Sequence, residues 1–412
     1  MSDLAARIRE ARAQFEKMRA NPAALDLTRG KPSAEQLDLS LPLLGILGPD
    51  DYRDGHGNDC RNYGVPDGIP EARALFGELL DVPAADVLVG ENSSLSMMHG
   101  AVAAAVLHGV PGGDGPWHGR DIRILCPVPG YDRHFALTEH LGLGMQNVAI
   151  GEDGLDIEAV ERAAVSDVRV RGIWIVPKYQ NPVGVTLTDD EVRALARMKT
   201  AAPDFRIFWD NAYVAHHIAD ELDPVADVLA ACAEAGNPDR VFLFGSTSKI
   251  TFAGGGISAF GASPANTAWM RKHRGLETIG GDKLNQLRHV RFFGDVAGLH
   301  AHMRKHAALL KPKFAAVQRG LEERLGGTGL ATWTQPRGGY FVSLDTAPGK
   351  ARRVFEMAAE AGVKLTPVGA TFPYGDDPED RNIRISPSLP PIEELERAIT
   401  VLATAILCAA EG

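Results

Sequence analysis

The sequence has few of the features that mark several common protein classes. Its 412 residues include only four cysteines, Cys60, Cys126, Cys232 and Cys408, and no two of them form a CxxC pair. Neither a disulfide framework nor a zinc or other metal site is expected, and a reducing cytoplasm suits such a chain. No apolar run is long enough to cross a bilayer. The first 20 residues alternate charged and apolar positions at helical spacing, which is not the pattern of a signal peptide.

Basic residues are in the minority. The chain has 43 Lys and Arg residues against 53 Asp and Glu residues, which gives a formal net charge of −10. A nucleic-acid-binding protein would carry a basic excess, so no nucleic-acid partner is expected. The acidic balance also argues against an anionic ligand, unless cations are concentrated locally.

The remaining composition is that of a globular protein, with 45% hydrophobic and 23% charged residues. The length predicts two to three domains. Continuous apolar runs lie at 86–90, 122–127, 172–177, 206–210 and 241–245, with helical patterns between them, for example at 155–164 and 189–199. Unbroken runs of this length are typical of strands that are buried on both faces. The pattern predicts an α/β fold with a doubly wound, mostly parallel sheet.

The pattern changes in the last third of the chain. A long amphipathic helix is predicted over about 295–325, and Pro312 should kink it. Shorter strands and helices follow at 339–344, 350–361, 363–366 and 382–386, with a closing helix from Ile392. We predict an N-terminal segment at 1–45 that packs with the small domain, a large domain at 46–300 and a small α/β domain at 301–412.

Polar residues follow the predicted strands, at the sheet edge where α/β proteins bind ligands. Lys249 comes just after the fifth run, where a desolvated, neutral amine could condense with a carbonyl; the alternative is a surface lysine. Asp210 ends the fourth run and could hold a protonated ring nitrogen, or could simply cap a helix. Tyr213 follows three residues later, and its phenol could donate to an adjacent oxyanion. Asn181, before Pro182, aims an amide at the same edge.

Two further segments suit parts of a flat, phosphorylated ligand. Ser93 and Ser94 lie in a small polar turn that opens a helix, where backbone N–H groups and hydroxyls can bind phosphate. Tyr131, in the segment CPVPGYDRHF, could stack on a flat ring.

Together these elements, in this order, resemble the fold-type I pyridoxal-phosphate (PLP) enzymes, and specifically the class I aminotransferases, over nearly the whole chain. The resemblance implies that Lys249 holds the cofactor as a Schiff base and moves the proton during the reaction. It implies that Asp210 pairs with the ring nitrogen and that Asn181 and Tyr213 bind the ring O3′. The remaining implied cofactor contacts are Ser93, Ser94 and Ser246 for the phosphate and Tyr131 for the ring face.

Three more segments fit the same family. LDLTRGKPS resembles the segment whose glycine, here Gly30, lends a backbone N–H to the substrate α-carboxylate. NIRISPS resembles the strand whose arginine, here Arg384, clamps that carboxylate with its planar guanidinium. RNYGVPDGIPEARALF resembles the segment whose tyrosine, here Tyr63, reaches the phosphate of a neighbouring subunit. The last match implies a homodimer with shared active sites.

One departure from the family is informative. Most class I members have an arginine about eight residues after the lysine, whereas no arginine lies between Lys249 and Arg271 here. This feature, with TRGKPS, GENSSL and IGGDKLNQLRHVRFF, resembles the MocR-like branch, which includes the subgroup Ic aspartate aminotransferases. In the classical aspartate aminotransferases a partner-subunit arginine binds the distal carboxylate, and the same count from the lysine arrives here at Lys283, which could instead supply the missing phosphate charge. Arg29, Lys178 and Arg133 are other candidates for a distal carboxylate, or are simply solvated.

The resemblance implies a cytoplasmic aminotransferase that moves the amino group of aspartate, or another dicarboxylic amino acid, to 2-oxoglutarate by a ping-pong mechanism. One alternative is a PLP aminotransferase for an aromatic or aminoadipate-like substrate, or a PLP lyase, because a fold does not fix the reaction. Another is a non-catalytic effector-binding domain of the kind fused to winged-helix regulators. Only about 25 residues precede LDLTRGKP, too few for a winged helix, so this is the least expected.

Overall fold

A computed structural model describes residues 2–410; Met1, Glu411 and Gly412, which end the predicted outer segments, lie outside the described residues. The strands are β1 Leu25–Asp26, β2 Val87–Gly90, β3 Arg123–Val128, β4 Gly144–Gly151, β5 Gly154–Leu155, β6 Val170–Ile175, β7 Arg206–Asp210, β8 Val241–Ser246, β9 Ser258–Ala262, β10 Ala331–Trp333, β11 Val342–Thr346, β12 Val363–Lys364 and β13 Asn382–Ile385. The helices are α1 Ser2–Ala20, α2 Ala34–Asp38, α3 Pro70–Leu80, α4 Ser94–His108, α5 Asp132–His140, α6 Ile157–Ser166, α7 Asp189–Arg197, α8 Val228–Glu234, α9 Pro264–Arg274, α10 Lys283–Phe293, α11 Val296–Leu325, α12 Ala351–Glu360 and α13 Ile392–Ala409.

The largest sheet has eight strands in the order β2-β9-β8-β7-β6-β3-β4-β5. The central strands β8, β7, β6, β3 and β4 are parallel, whereas β9 is antiparallel to both β2 and β8. β2, β3, β6, β7 and β8 therefore all end at the same edge. The predicted α/β fold with a mostly parallel sheet is confirmed.

Both faces of this sheet are covered, as the unbroken apolar runs predict. In β7, Phe208 packs in one hydrophobic cluster with Trp174 and Phe242, while Trp209 packs in a second cluster with Leu243 on the opposite face. Alternate side chains of a strand point to opposite faces, so both sets must be apolar when helices cover both sides.

A third hydrophobic cluster forms around two smaller sheets, β10-β11-β13 and β1-β12. Ile8, Ala11 and Phe15 of α1 lie in this cluster together with α13 and the second half of α11. The N-terminal helix therefore packs with the C-terminal elements. The division at 1–45, 46–300 and 301–412 stays a prediction.

The bounds of the elements differ from the sequence predictions at a few places. β6 ends at Ile175, two residues earlier than predicted, and Pro177 has no N–H for a strand ladder. β11 begins at Val342 rather than 339, because Gly339 adopts a positive φ of 76°. α11 continues through Pro312, which does not end it. β9 is not predicted by the sequence analysis. None of the helices within residues 2–410 is both long and apolar enough to cross a membrane.

Candidate active site

Lys249 lies in a short turn, 247–251, directly after β8, and we call this segment the lysine turn. Its amine lies 5.0 Å from the centre of the Tyr213 ring. Burial lowers the pKa of Lys249, and the carboxylate of Asp210 opposes that shift. A buried amine with a lowered pKa loses its proton more readily, so it can act as a nucleophile.

Asp210, the last residue of β7, is 1% exposed. Its Oδ2 lies 2.9 Å from Nε2 of His134, while its buried Oδ1 has no hydrogen-bond partner. An orphaned buried carboxylate oxygen is costly, and a protonated ring nitrogen is the kind of donor that would satisfy it. The site therefore fits the ring of a pyridoxal cofactor at this atom.

His134 is a site residue that the sequence analysis does not predict. It lies in the first turn of α5, three residues after Tyr131, and its ring stacks on Trp174 at 4.4 Å. The rings of Tyr131 and His134 lie nearly perpendicular, with their centroids 4.9 Å apart. The only sequence signal was the histidine in PGYDRHF, and its partner Asp210 lies 76 residues later in the chain.

Tyr213 and Tyr131, the two tyrosines predicted to contact the cofactor ring, differ in burial. Tyr213 is 2% exposed, and Tyr131 is partly buried. Burial raises the pKa of both hydroxyls above the usual value for tyrosine. Both therefore stay protonated at neutral pH and can donate hydrogen bonds.

Arg384 extends from β13 to the edge of the large sheet. Its Nη1 donates to Asp132 Oδ1 at 2.9 Å and to Asn181 Oδ1 at 3.4 Å. Its guanidinium also lies over the ring of Phe341, 4.9 Å from the centroid. The small sheet thus brings Arg384 to the predicted Asn181.

Gly30 packs against the same Phe341. A Cβ atom at position 30 would collide with the Phe341 ring, so only glycine allows this close approach. Gly30 and Arg384, the two residues predicted to bind the substrate carboxylate, therefore both lie against one aromatic side chain.

Hydroxyl groups surround the turn that precedes α4. Ser93 caps that helix, and its Oγ accepts from the N–H of Leu95 at 3.2 Å, while Ser94 is the first helical residue. Ser258 of β9 pairs with both Gly90 and Ser246, and its buried Oγ has no partner. Sequence reasoning missed Ser258. A helix N-terminus with several hydroxyls is a setting that suits a phosphate.

The lysine turn is hydrogen-bonded directly to the turn before α4, which is predicted to bind phosphate. Ser248 donates its hydroxyl proton to the carbonyl of Asn92, and Asn92 Nδ2 donates to the carbonyl of Ala253 at 3.1 Å. The two segments predicted to hold opposite ends of the cofactor are therefore fixed to each other.

Tyr63 and Lys283 are placed differently. Tyr63 is 81% exposed, and none of the hydrogen bonds or ring contacts of residues 2–410 joins it to the residues around Lys249. Lys283, the first residue of α10, is 4% exposed and lies beside Gly280, which itself packs against Gly64. Lys283 and the residue that follows Tyr63 thus lie beside the same glycine, Gly280. Across the described chain, no three His, Cys, Asp or Glu side chains are grouped to hold a metal ion.

Comparison with known proteins gives consistent matches over the full length. The family model described as "Aspartate amino-transferase" matches residues 1–412. The chain is 48% identical over 398 residues to the aspartate aminotransferase of Corynebacterium glutamicum, which covers 96% of this chain and 92% of that protein. A crystal structure of an aspartate transaminase from Corynebacterium glutamicum has a TM-score of 0.96 at 46% identity and covers 100% of this chain and 97% of that one.

A more distant match shows the same fold. It is the α-aminoadipate aminotransferase of Thermus thermophilus, solved in complex with N-(5'-phosphopyridoxyl)-L-leucine, with a TM-score of 0.75 at 20% identity. The match covers 98% of this chain and 97% of that one.

Proposed function

Because the chain belongs to the aspartate aminotransferase family of fold-type I PLP enzymes, we propose that it transfers the amino group of aspartate, or another dicarboxylic amino acid, to 2-oxoglutarate. The coarser activity follows from the family: the protein is an aminotransferase, and its cofactor is pyridoxal phosphate. The family and fold predicted from the ordered motifs are confirmed. Placement in the MocR-like branch stays a prediction.

The observation that carries the site assignment is the orphaned Oδ1 of Asp210. A buried carboxylate that lacks a donor at the end of the sheet, close to the half-buried Lys249, fits a protonated pyridine ring better than it fits an apolar core. When bound, the cofactor supplies an electron-accepting ring and a carbon that carries the amino group between the two substrates. Asp210 would keep the ring nitrogen protonated, and His134 would hold the carboxylate in place.

Lys249 would hold the cofactor covalently between turnovers and move the substrate's Cα proton. The direction of its pKa shift, downwards through burial, supports this role, because an amine must be neutral to accept that proton. Tyr213 and Asn181 would bind the ring oxygen, and Tyr131 would cover one ring face. Burial keeps the Tyr213 hydroxyl protonated, which suits a hydrogen-bond donor to an oxyanion.

Ser93, Ser94 and Ser246 would bind the phosphate with backbone N–H groups at the start of α4. That helix has 15 residues, long enough for its N-terminus to carry a useful partial positive charge. The orphaned hydroxyl of Ser258 lies beside Gly90 and Ser246 and would add a further donor.

Arg384 and Gly30 would bind the substrate α-carboxylate over Phe341. We further propose a cytoplasmic homodimer in which Tyr63 reaches the phosphate of the second subunit and Lys283 meets the distal carboxylate there. The exposure of Tyr63 and the proximity of Lys283 to the same segment support this assignment. Aspartate as donor is supported by the relative of 48% identity, which is an aspartate aminotransferase.

An amino-donor panel tests the proposal. The purified holoenzyme is mixed with 2-oxoglutarate and, in turn, aspartate, 2-aminoadipate or phenylalanine, and glutamate formation is followed. We expect the highest kcat/KM with aspartate, with oxaloacetate as the second product. A higher value for phenylalanine or aminoadipate would overturn the aspartate assignment, and release of free ammonia without glutamate formation would identify a lyase.

A further inference from the structure

The backbone carbonyl of Lys249 receives hydrogen bonds from two buried side chains. The hydroxyl of Tyr340 donates to it at 3.3 Å, and Nε2 of His216 lies 3.3 Å away. Tyr340 is fully buried and His216 is 2% exposed, so water does not compete for these bonds. Nδ1 of His216 has no partner, which places the ring proton on Nε2.

The next two residues of the lysine turn are held in the same way. Nε2 of His302, on α11, lies 2.9 Å from the carbonyl of Ile250. Nε2 of His289, on α10, lies 2.9 Å from Oγ1 of Thr251. Side chains from separate parts of the chain therefore contact three consecutive residues of the lysine turn.

Gln36 extends this set of contacts to the N-terminal segment. It is fully buried, and its Nε2 donates to Tyr340 Oη at 3.1 Å and to His306 Nδ1 at 3.0 Å. Its Oε1 accepts from the backbone N–H of Ser33 at 3.1 Å. Both ends of the amide are thus engaged, so its orientation is fixed.

Gln36 and Tyr340 both lie near residues that are proposed to bind the substrate carboxylate. Tyr340 immediately precedes Phe341, which lies under Arg384 and against Gly30. Gln36 follows Gly30 by six residues and completes the capping box of the short helix α2, whose N-cap is Ser33. The segment under Arg384 therefore leads to the carbonyl of Lys249 through one hydrogen bond, from Tyr340. The segment that carries Gly30 leads to it through two, from Gln36 to Tyr340 and from Tyr340 to Lys249.

We propose that Tyr340 and Gln36 are positioning residues that orient Lys249 for proton transfer, with Gln36 acting through the Tyr340 hydroxyl. This inference rests on the proposed function, because it takes Lys249 as the reacting lysine. Neither residue needs to touch the substrate. Their effect is on the placement of the lysine backbone, and hence of its amine, when the carboxylate-binding segments are in place.

The test compares Tyr340→Phe, Gln36→Met and the double variant with wild-type holoenzyme. Each single variant should lower kcat about three- to tenfold, the value for one lost buried hydrogen bond. KM and the dissociation constant of a non-reactive dicarboxylate such as maleate should change less than about twofold, because Arg384 is untouched. The pH midpoint of the visible absorbance change of the bound cofactor should move by about half a unit, since it reports the surroundings of Lys249.

The double variant separates a shared path from two independent effects. If Gln36 acts through Tyr340, the double variant should have the kcat of Tyr340→Phe alone. Tyr179→Phe is the matched control, because Tyr179 is equally buried but its hydroxyl contacts His217 instead, 2.5 Å away. It should match wild type in kcat and absorbance midpoint.

Unchanged kcat and absorbance midpoint in Tyr340→Phe would overturn the inference, as would multiplicative losses in the double variant. A fall in melting temperature without either change would likewise assign both residues a purely structural role. Failure of the wild type to transfer amino groups would instead reject the proposed function. The absorbance midpoint needs only bound cofactor, so the two failures are distinguishable.

Discussion

The Nη1 atom of Arg384 donates a 2.9 Å hydrogen bond to Oδ1 of Asp132, so the guanidinium proposed to bind the substrate carboxylate already holds a carboxylate of the protein. Arg384 is 7% exposed at its side chain and Asp132 is 34% exposed. A substrate carboxylate must therefore bind next to, or in place of, this internal anion.

Replacing Asp132 by Asn should strengthen substrate binding. A partly exposed pair is worth about 1 kcal/mol or less, so KM for both amino and oxo acids should fall by up to about fivefold. Steady-state kinetics with aspartate and 2-oxoglutarate measures the change. Asp220→Asn, which removes an exposed partner of Lys311, is the control and should leave KM unchanged. A higher KM in Asp132→Asn would mean that Asp132 orients Arg384 rather than competing with the substrate.

Lys249→Ala should lose turnover by about a thousandfold or more, because it removes the group that moves the proton. The variant should still bind the cofactor through the remaining contacts, but its visible absorbance should differ from that of wild type. Lys311→Ala, a change of an exposed lysine, should behave as wild type. If Lys249→Ala kept the spectrum and rate of wild type, the assignment of the lysine would be wrong.

Asp210→Asn should lower kcat about ten- to a hundredfold and weaken cofactor binding, since a neutral amide cannot replace a buried charge-assisted bond. His134→Asn should have a smaller effect in the same direction, because it only holds the carboxylate. Single-turnover kinetics and titration of cofactor-free protein measure both quantities. A larger loss in His134→Asn than in Asp210→Asn would reverse the roles given to the two residues.

His289 should make the protein sensitive to acid. Burial lowers its pKa from 6.5 to about 4, and its two ring nitrogens contact Thr251 and the carbonyl of Asn285. A group whose folded pKa is depressed stabilises the fold above pH 6.5 and progressively loses that contribution as the pH falls towards 4. The loss is up to about 3 kcal/mol.

Denaturant unfolding of the cofactor-free protein at several pH values measures this effect. Stability of wild type should fall more steeply between pH 6.5 and 4 than that of His289→Gln, which cannot titrate. Parallel profiles would show that His289 does not contribute to acid sensitivity.

The site residues that could be predicted from the sequence are those whose position is determined by the strand directly before them in the chain. Asp210 and Lys249 follow apolar runs that form β7 and β8, and β7 has the predicted bounds. Polar groups directly after buried strands must lie at the sheet edge, so the chain order of the motifs alone places them together.

The residues that sequence reasoning missed depend on distant partners. Gln36 contacts a tyrosine 304 residues away, and nothing in its own segment marks that contact. β9, with the sequence SAFGA, was missed because its small residues lack a strong strand pattern and its place between β2 and β8 is set by pairing with both. Such features follow from tertiary packing, which overrides local preference.

The packing of α1 with α13 constrains how the chain is made. The first helix of the described chain buries Ile8, Ala11 and Phe15 in a core that is completed by the last helix. During synthesis, α1 leaves the ribosome long before α13 is made. Its apolar face is therefore not yet covered by α13 while the eight-stranded sheet assembles. Contacts of such large sequence separation form slowly. The small core is therefore expected to form last, and the apolar face of α1 stays exposed until α13 has been made.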